Sequence, residues 1–291
     1  MLDYQKVKAW APEDVRHSYT RKDTILYNLG LGFGSELDRA DDLRYVYERD
    51  LTTLPTMCSV LGSPGFWMKD HPEFGIDYLR LVHGEQKVTM HRALPPEGTV
   101  YGRTRVTRLV DKGASKGALV TVERQILESG TLAKIASIEQ VLFCRGDGGF
   151  SENGPSDPAP PVDSFAAARK ADGTVSSDIA QNAALLYRLS GDWNPLHADP
   201  AIAKKAGFDR PILHGLATYG IACRLLTSEL RRLGAKDIQS FGARLSAPVF
   251  PGDRLTVSYW LEKDQVRFEA EVSERGSKVL ANGSALLGTP A

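Results

Sequence analysis

The chain has 291 residues, and its 36 lysines and arginines balance 36 aspartates and glutamates for a formal net charge of +0. That length suits one large domain or two ordinary ones, with a core that needs no disulfide staples. A hydrophobic fraction of 42% and a charged fraction of 25% are globular values, which excludes a disordered or fibrous chain.

No apolar run reaches the length of a membrane-spanning helix, so no membrane span is expected. The balanced charge gives no overall pull toward nucleic acid. The opening stretch MLDYQKVKAWAPEDV carries charges and has no apolar signal core. Cys58, Cys144 and Cys223 are widely spaced and odd in number, which reads as reduced thiols in an intracellular protein.

In chain order, residues 44–48 look strand-like and 53–61 are the helix candidate of the first half. A loop rich in Gly and Pro follows at 62–75. Residues 100–110, 117–127 and 132–143 are strand candidates. From Gly146 the chain reads GDGGFSENGPSDPAPPVDS, a composition that forms neither a helix nor an interior strand. This divides the chain into residues 1–145, a linker at 146–170, and residues 171–291.

The second half has a clearer order. Residues 177–189 are a helix candidate that Gly191, Pro195 and Pro200 stop. Asp199 and Pro200 suit the start of a short helix to Lys205. Residues 212–233 form a long, mostly apolar helix, with Arg231, Arg232 and Gly234 suited to its end. Strand candidates follow at 238–245, 254–260, 265–273 and 277–287, joined mainly by hairpin-length connections. A long helix followed by a meander predicts a curved antiparallel sheet wrapped on that helix, an α+β unit.

The halves echo each other. TILYNL (24–29) parallels ALLYRL (184–189), ALPPEGTV (93–100) parallels APVFPGDRL (247–255), and 130–143 parallels 276–287. A duplicated unit is the simplest explanation.

The chemistry concentrates in residues 189–215, which hold Asp192, Asn194, His197, Asp199, Asp209 and His214 among four Gly and Pro breakers. Asp192 and His197 lie five apart across a proline-bearing turn. An aspartate and a histidine that share a water can divide acid and base work, and Asn194 could orient either. Other readings of the same residues stay open. Asp192 or Asp199 could be a helix cap, Asn194 a turn residue and His197 a packed core histidine. His197, Asp199 and His214 are also metal-ligand types, but their spacing matches no standard site. Gly215 sits near the start of the long helix, where free amides and the helix dipole favour negative charge; alternatively it only permits close packing.

The run YRLSGDWNPLHADPAIAKKAGFDRPILHGLATYG (187–220), followed by FGARLSAPVFPGDRL (241–255), resembles the signature of the MaoC-like, hydratase 2 family of (R)-specific enoyl-CoA hydratases. YNLGLGFG (27–34), DLRYVYERDLTTLPT (42–56) and VHGEQKVTMHRALPPEG (82–98) resemble the non-catalytic half of its two-hot-dog members, in particular the hydratase part of the peroxisomal multifunctional enzyme type 2. The resemblance covers nearly the whole chain. It implies two tandem hot-dog folds, each a long helix wrapped by a curved antiparallel sheet, with one active site per chain because the first half lacks a GDWNPLH equivalent.

The resemblance further implies hydration of a trans-2-enoyl-CoA in fatty-acid β-oxidation. Asp192 and His197 would be the catalytic pair and Asn194 the residue between them, with the Gly215 amide receiving the thioester oxygen. Glu48, His214 and Arg244 would be substrate-side residues. No cofactor or metal is implied, since the substrate itself carries coenzyme A; Arg244, Lys204, Lys205 and Arg210 are candidates for its phosphates. The partners expected are an acyl-CoA and a second copy of the chain in a homodimer. The rival expectations are a dehydratase in a polyketide, fatty-acid or specialised acid pathway and a non-enzymatic acyl-CoA binding protein. The C-terminal LLGTPA is not a peroxisomal SKL-type address, so a cytoplasmic enzyme is expected.

Overall fold

The computed structural model describes residues 1–35, 40–161, 165 and 169–288. Parts of the predicted linker, at 162–164 and 166–168, and the last three residues of the C-terminal motif lie outside the described residues.

The strands of the first half are β1 (Val15–Tyr19), β2 (Leu81–Met90), β3 (Gly98–Asp111), β4 (Ala118–Glu128) and β5 (Lys134–Cys144). Those of the second half are β6 (Gly173–Asp178), β7 (Ile238–Leu245), β8 (Arg254–Glu262), β9 (Gln265–Val272) and β10 (Ser277–Leu287). All belong to one antiparallel sheet in the order β1-β3-β4-β5-β2-β7-β10-β9-β8-β6. Read inward from either edge, the halves repeat the same order: first, third, fourth, fifth and second strand. The sequence echo is therefore a repeated fold.

The halves join where β2 pairs with β7, with Glu85 opposite Arg244 and Thr89 opposite Ser240. Ser240 Oγ donates to Val88 O at 3.0 Å across this joint. Contrary to the hairpin expectation, β7 does not pair with β8. It reaches β10 and β2, and 246–253 crosses over to β8.

The long helix of the second unit runs Gly215–Arg232. It starts three residues later than the pattern predicts, because its apolar run is preceded by an extended His214. Tyr219, Ala222, Cys223 and Leu226 are fully buried on it and join the core that contains Phe241, Val257, Val266 and Phe268. A helix that is apolar on most sides needs this cover.

In the first unit the predicted helix at 53–61 is only a short 3-10 helix, Pro55–Val60. Gly62 ends it with φ +56, and its backbone packs so tightly on Gly102 that a Cβ there would lie 2.7 Å from the Gly102 backbone. Gly65 follows with φ +76. These left-handed residues turn the chain away where its twin continues as a long helix. Residues 44–48 are not a strand; Leu43–Val46 is a helical turn. The segment 177–189 divides into the end of β6, the helix Ala183–Tyr187 and the 3-10 turn Arg188–Ser190. Helix Arg21–Gly30, capped by a reciprocal Thr20–Asp23 box, packs on Ala183–Tyr187.

The described parts of the linker are anchored to the first unit. Asp157 accepts from Tyr4 Oη at 2.8 Å, Lys8 Nζ at 2.7 Å and Leu109 N at 2.7 Å. A second, smaller core lies against strands β3, β4 and β5, where Trp10 stacks on Trp67 at 3.8 Å between centroids. None of the described helices is long and apolar enough to cross a membrane.

Candidate active site

The loop after Ser190 is built by local capping. Gly191 takes φ +116, a conformation that favours glycine. The Asn194 side chain accepts from Leu196 N at 3.1 Å and caps the 3-10 turn Pro195–His197. Asp199 caps the helix Pro200–Lys205, accepting from Ala201 N at 2.7 Å. Asp192 caps no helix. Its carboxylate accepts from Asn194 N at 3.2 Å.

These caps carry His197 inward, to 8% exposure, against the start of the long helix. His197 Nδ1 lies 2.9 Å from Ile212 O. A carbonyl only accepts, so Nδ1 carries the proton and Nε2 keeps its lone pair. His214 Nε2 donates to Asp192 O at 3.2 Å, and its ring lies 3.8 Å from that of His197. His214 Nδ1 is buried without a partner. Ligand-type atoms of Asp192, His197 and His214 all lie within 4.8 Å of one another.

Burial is the main cause that lowers the His197 pKa from its ordinary 6.5. Burial, with His197 next, pushes His214 down to about 4. Both rings are therefore neutral at pH 7. Two neutral imidazoles beside a carboxylate form a site that can hold a water and accept its proton. The three residues are also metal-ligand types, but two of their nitrogens are turned as donors to backbone carbonyls. Asp199, one of the three ligand types weighed in the sequence, is occupied as a helix cap.

Gly215 is the first residue of the long helix, which has no side-chain cap at His214. The first amides of a helix have no intrahelical partner, so the Gly215 N–H is available one residue from the His214 ring. A Cβ at Gly215 would lie 2.3 Å from the end of the Leu245 side chain, so close packing also favours glycine there.

The remaining predicted residues lie apart from this cluster. Glu48 is on an exposed turn, and its carbonyl accepts from Arg21 Nη1 at 3.2 Å. Arg244 is exposed on β7, opposite Glu85. Lys204 and Lys205 are exposed, and Arg210 lies 4.0 Å from Asp253. One histidine was not singled out from sequence. His83 on β2 donates from Nε2 to Glu85 O at 3.1 Å, and Gln140 Nε2 donates to its Nδ1 at 3.3 Å. Burial pushes its pKa down to about 4, opposed in part by the charge of Asp192. It pairs with Leu142 on β5, and no local spacing in the sequence signals its place.

A cavity of about 150 Å³ adjoins the loop that leads to Asp192, at Leu189–Gly191. Its other walls come from the first unit, among them Tyr19, Tyr27, Met57, Val60 and Leu61.

The repeated helix-and-sheet unit defines a tandem hot-dog fold, and comparison with known proteins makes the class a hydro-lyase. Residues 17–146 match the family model described as the MFE-2 hydratase 2 N-terminal domain, and residues 164–282 match the MaoC-like domain. The peroxisomal enoyl-CoA hydratase 2 of Arabidopsis thaliana is 35% identical over 284 residues, covering 92% of this chain and 90% of that one. Enoyl-CoA hydratase ChsH3 of Mycobacterium tuberculosis is 36% identical over 281 residues, covering 94% of each. The crystal structure of a MaoC-like dehydratase from Phytophthora capsici aligns with a TM-score of 0.84 at 29% identity, covering 99% of this chain and 98% of that one. The chain belongs to the MaoC-like hydratase 2 family of enoyl-CoA hydratases and dehydratases.

The cytoplasmic expectation does not stand. The Arabidopsis relative is named peroxisomal, as is the multifunctional enzyme type 2 of Mus musculus, which is 31% identical over 273 residues. The match covers 91% of this chain but 36% of the mouse protein. A targeting tripeptide is read separately from the catalytic fold, so the last residues of the hydratase segment are no guide to compartment.

Proposed function

We propose that the chain hydrates trans-2-enoyl-CoA reversibly to (3R)-3-hydroxyacyl-CoA, the hydration step of fatty-acid β-oxidation. The observation that carries this reading is the convergence of Asp192, His197 and His214 within 4.8 Å, with His197 Nε2 left as a lone pair. In this reading a water sits between the Asp192 carboxylate and His197 Nε2 and donates a hydrogen bond to each.

As the water oxygen bonds to C3, one of its protons passes to His197, and the imidazolium is held by Ile212 O and the Asp192 charge. A proton returns from the pair to C2 on the same face, so that one water is added across the double bond. Charge that develops on the thioester oxygen is met by the Gly215 N–H at the positive end of the long helix. His214 serves as a positioning residue: its N–H holds the Asp192 backbone and its ring backs His197. Asn194 shapes the turn between the pair. The residues 171–291 carry this chemistry, while 1–145 supply the acyl pocket, for which the cavity between the short helix Pro55–Val60 and Leu189–Gly191 provides the room. Two such chains form a homodimer in this reading.

The test follows loss of the enoyl absorbance of crotonyl-CoA and longer enoyl-CoAs, with chiral analysis of the product. The expected result is (3R) product. Inactivity at every chain length, or mainly (3S) product, overturns the reading. The same residues run backwards would make the chain a dehydratase, and the relative rates on CoA and acyl-carrier-protein thioesters separate the two settings.

A further inference from the structure

The interior of the first unit holds a positive charge that the hydration chemistry does not use. Arg124 points inward from β4 and is 8% exposed. One of its terminal nitrogens, Nη2, donates to Ser59 O on the short 3-10 helix. Its Nε is buried without a partner. Thr104, directly opposite it on β3, is 3% exposed, and its hydroxyl is buried without a partner as well.

Both residues line one cavity of about 30 Å³, together with Ser63, Trp67, Ile138 and Gln140. No carboxylate pairs with Arg124 among the described residues. Burial lowers its pKa, but only to about 10, so the guanidinium is charged at neutral pH.

An unpaired buried charge is costly, and each orphaned polar group adds to that cost. Such groups persist in a fold where something else completes them. A guanidinium offers five N–H donors in a fork that matches a carboxylate. The Thr104 hydroxyl beside it supplies another. The cavity has room for one small group of about that size. It is tied to the larger cavity through the short helix: Ser59, which accepts from Arg124, is the neighbour of Val60 in that cavity's wall, and Gln140 donates to His83 on β2.

We propose that this cavity is the far end of the acyl site and takes a carboxylate, so that the enzyme prefers enoyl-CoA substrates whose chain ends in a carboxyl group. The proposal rests on the hydratase reading above and deepens it. A methyl end would leave the Arg124 and Thr104 donors unpaired, whereas a carboxylate would satisfy them. Sites built to hydrogen-bond a substrate group discriminate strongly against analogues that lack it.

The experiment compares matched pairs of 2-enoyl-CoAs, methyl-terminated and ω-carboxylated, over a series of chain lengths, with crotonyl-CoA as the measure of hydratase activity. At the length that reaches Arg124, kcat/KM is expected to favour the carboxylated member by about 10²-fold, mostly through KM. Arg124→Met brings that ratio toward one, and Arg124→Lys keeps part of it. Thr104→Val, which preserves shape, lowers it by a smaller factor and serves if the arginine variant does not fold.

A ratio at or below one at every length in the wild type overturns the proposal. A preference that survives Arg124→Met also overturns it. Calorimetric binding of saturated acyl-CoA and ω-carboxyacyl-CoA reads the same preference without turnover. If no enoyl-CoA of any chain length is hydrated, the hydratase reading fails, and the binding ratio still decides the carboxylate site.

Discussion

The two units share a strand order and differ in what lies against the sheet. In the second unit the helix Gly215–Arg232 lies along the sheet with Phe241, Val257 and Phe268 in its core, and the polar groups it buries, Thr218, Arg224 and Thr227, sit on the helix itself. In the first unit the short helix Pro55–Val60 leaves part of the sheet face open, and Ser59, Gln86, Thr104 and Arg124 are buried there. A long helix supplies an N-terminus for charge stabilisation but leaves little room for an acyl chain. A short one leaves room and supplies no such terminus. In the proposed reading, tandem duplication lets each copy take one of these tasks.

The division of labour is tested most severely at the proposed pair. Asp192→Asn and His197→Ala are each expected to lower kcat by about 10²- to 10⁴-fold on crotonyl-CoA, with little change in KM. His83→Ala, in the first unit, is expected to cost far less. If His83→Ala matched His197→Ala, the first unit would hold chemistry, and the contrast between the units would collapse.

The helix terminus gives the next largest effect. Proline is well accepted at the first helical position, and His214 already has the extended backbone that a following proline requires, with φ −56 and ψ 135. Gly215→Pro therefore removes one N–H with little strain of the backbone. A loss of about 10²- to 10³-fold in kcat is expected, as for other single oxyanion donors. Gly215→Ala controls for the new Cβ, which meets only the flexible end of Leu245. Equal losses in the two variants would assign Gly215 to packing alone.

In the first unit the expected effect is on selection rather than on chemistry. Val60 lines the 150 Å³ cavity beside Leu189–Gly191. Val60→Phe should reduce kcat/KM for long enoyl-CoAs by about tenfold relative to crotonyl-CoA, in line with the few kcal/mol that a pocket change of this size is worth. A uniform loss at all chain lengths would place the acyl chain elsewhere.

What was legible in the sequence follows the range of the interactions involved. The long helix, the four strands after it and the Asp199 cap were readable because each is set by residues close in the chain. The tandem architecture was readable because duplication leaves echoes. β2 was missed as a strand: HGEQKVTM is polar, and Gln86 and Val88 are buried only because β5 and β7 flank it. The first-unit helix at 53–61 was placed correctly but read too regularly, since only contact with Gly102 shows that Gly62 must turn the chain. Within the site, Asp192, His197 and His214 stood out by type and spacing. Arg124 did not, because an arginine in the alternating strand ALVTVERQILE looks like a solvated one until the sheet is assembled.

The smallest expected effect is on stability, and each unit contributes a histidine to it. His83 in the first unit and His214 in the second both titrate near 4 in the fold, against an ordinary value of 6.5, chiefly because burial disfavours the charged ring. Between these values the unfolded chain binds protons that the folded chain does not. Stability is therefore fully present above pH 6.5 and is lost progressively as pH falls toward 4. The thermal midpoint should decline over that window, and His83→Gln and His214→Gln should each make the decline shallower. His197, whose pKa is lowered in the same direction, places the acid limb of kcat/KM below 6.5. If His214→Gln flattened the stability profile while His83→Gln left it unchanged, the effect would belong to the second unit alone, where His214 is fully buried while His83 is only partly so.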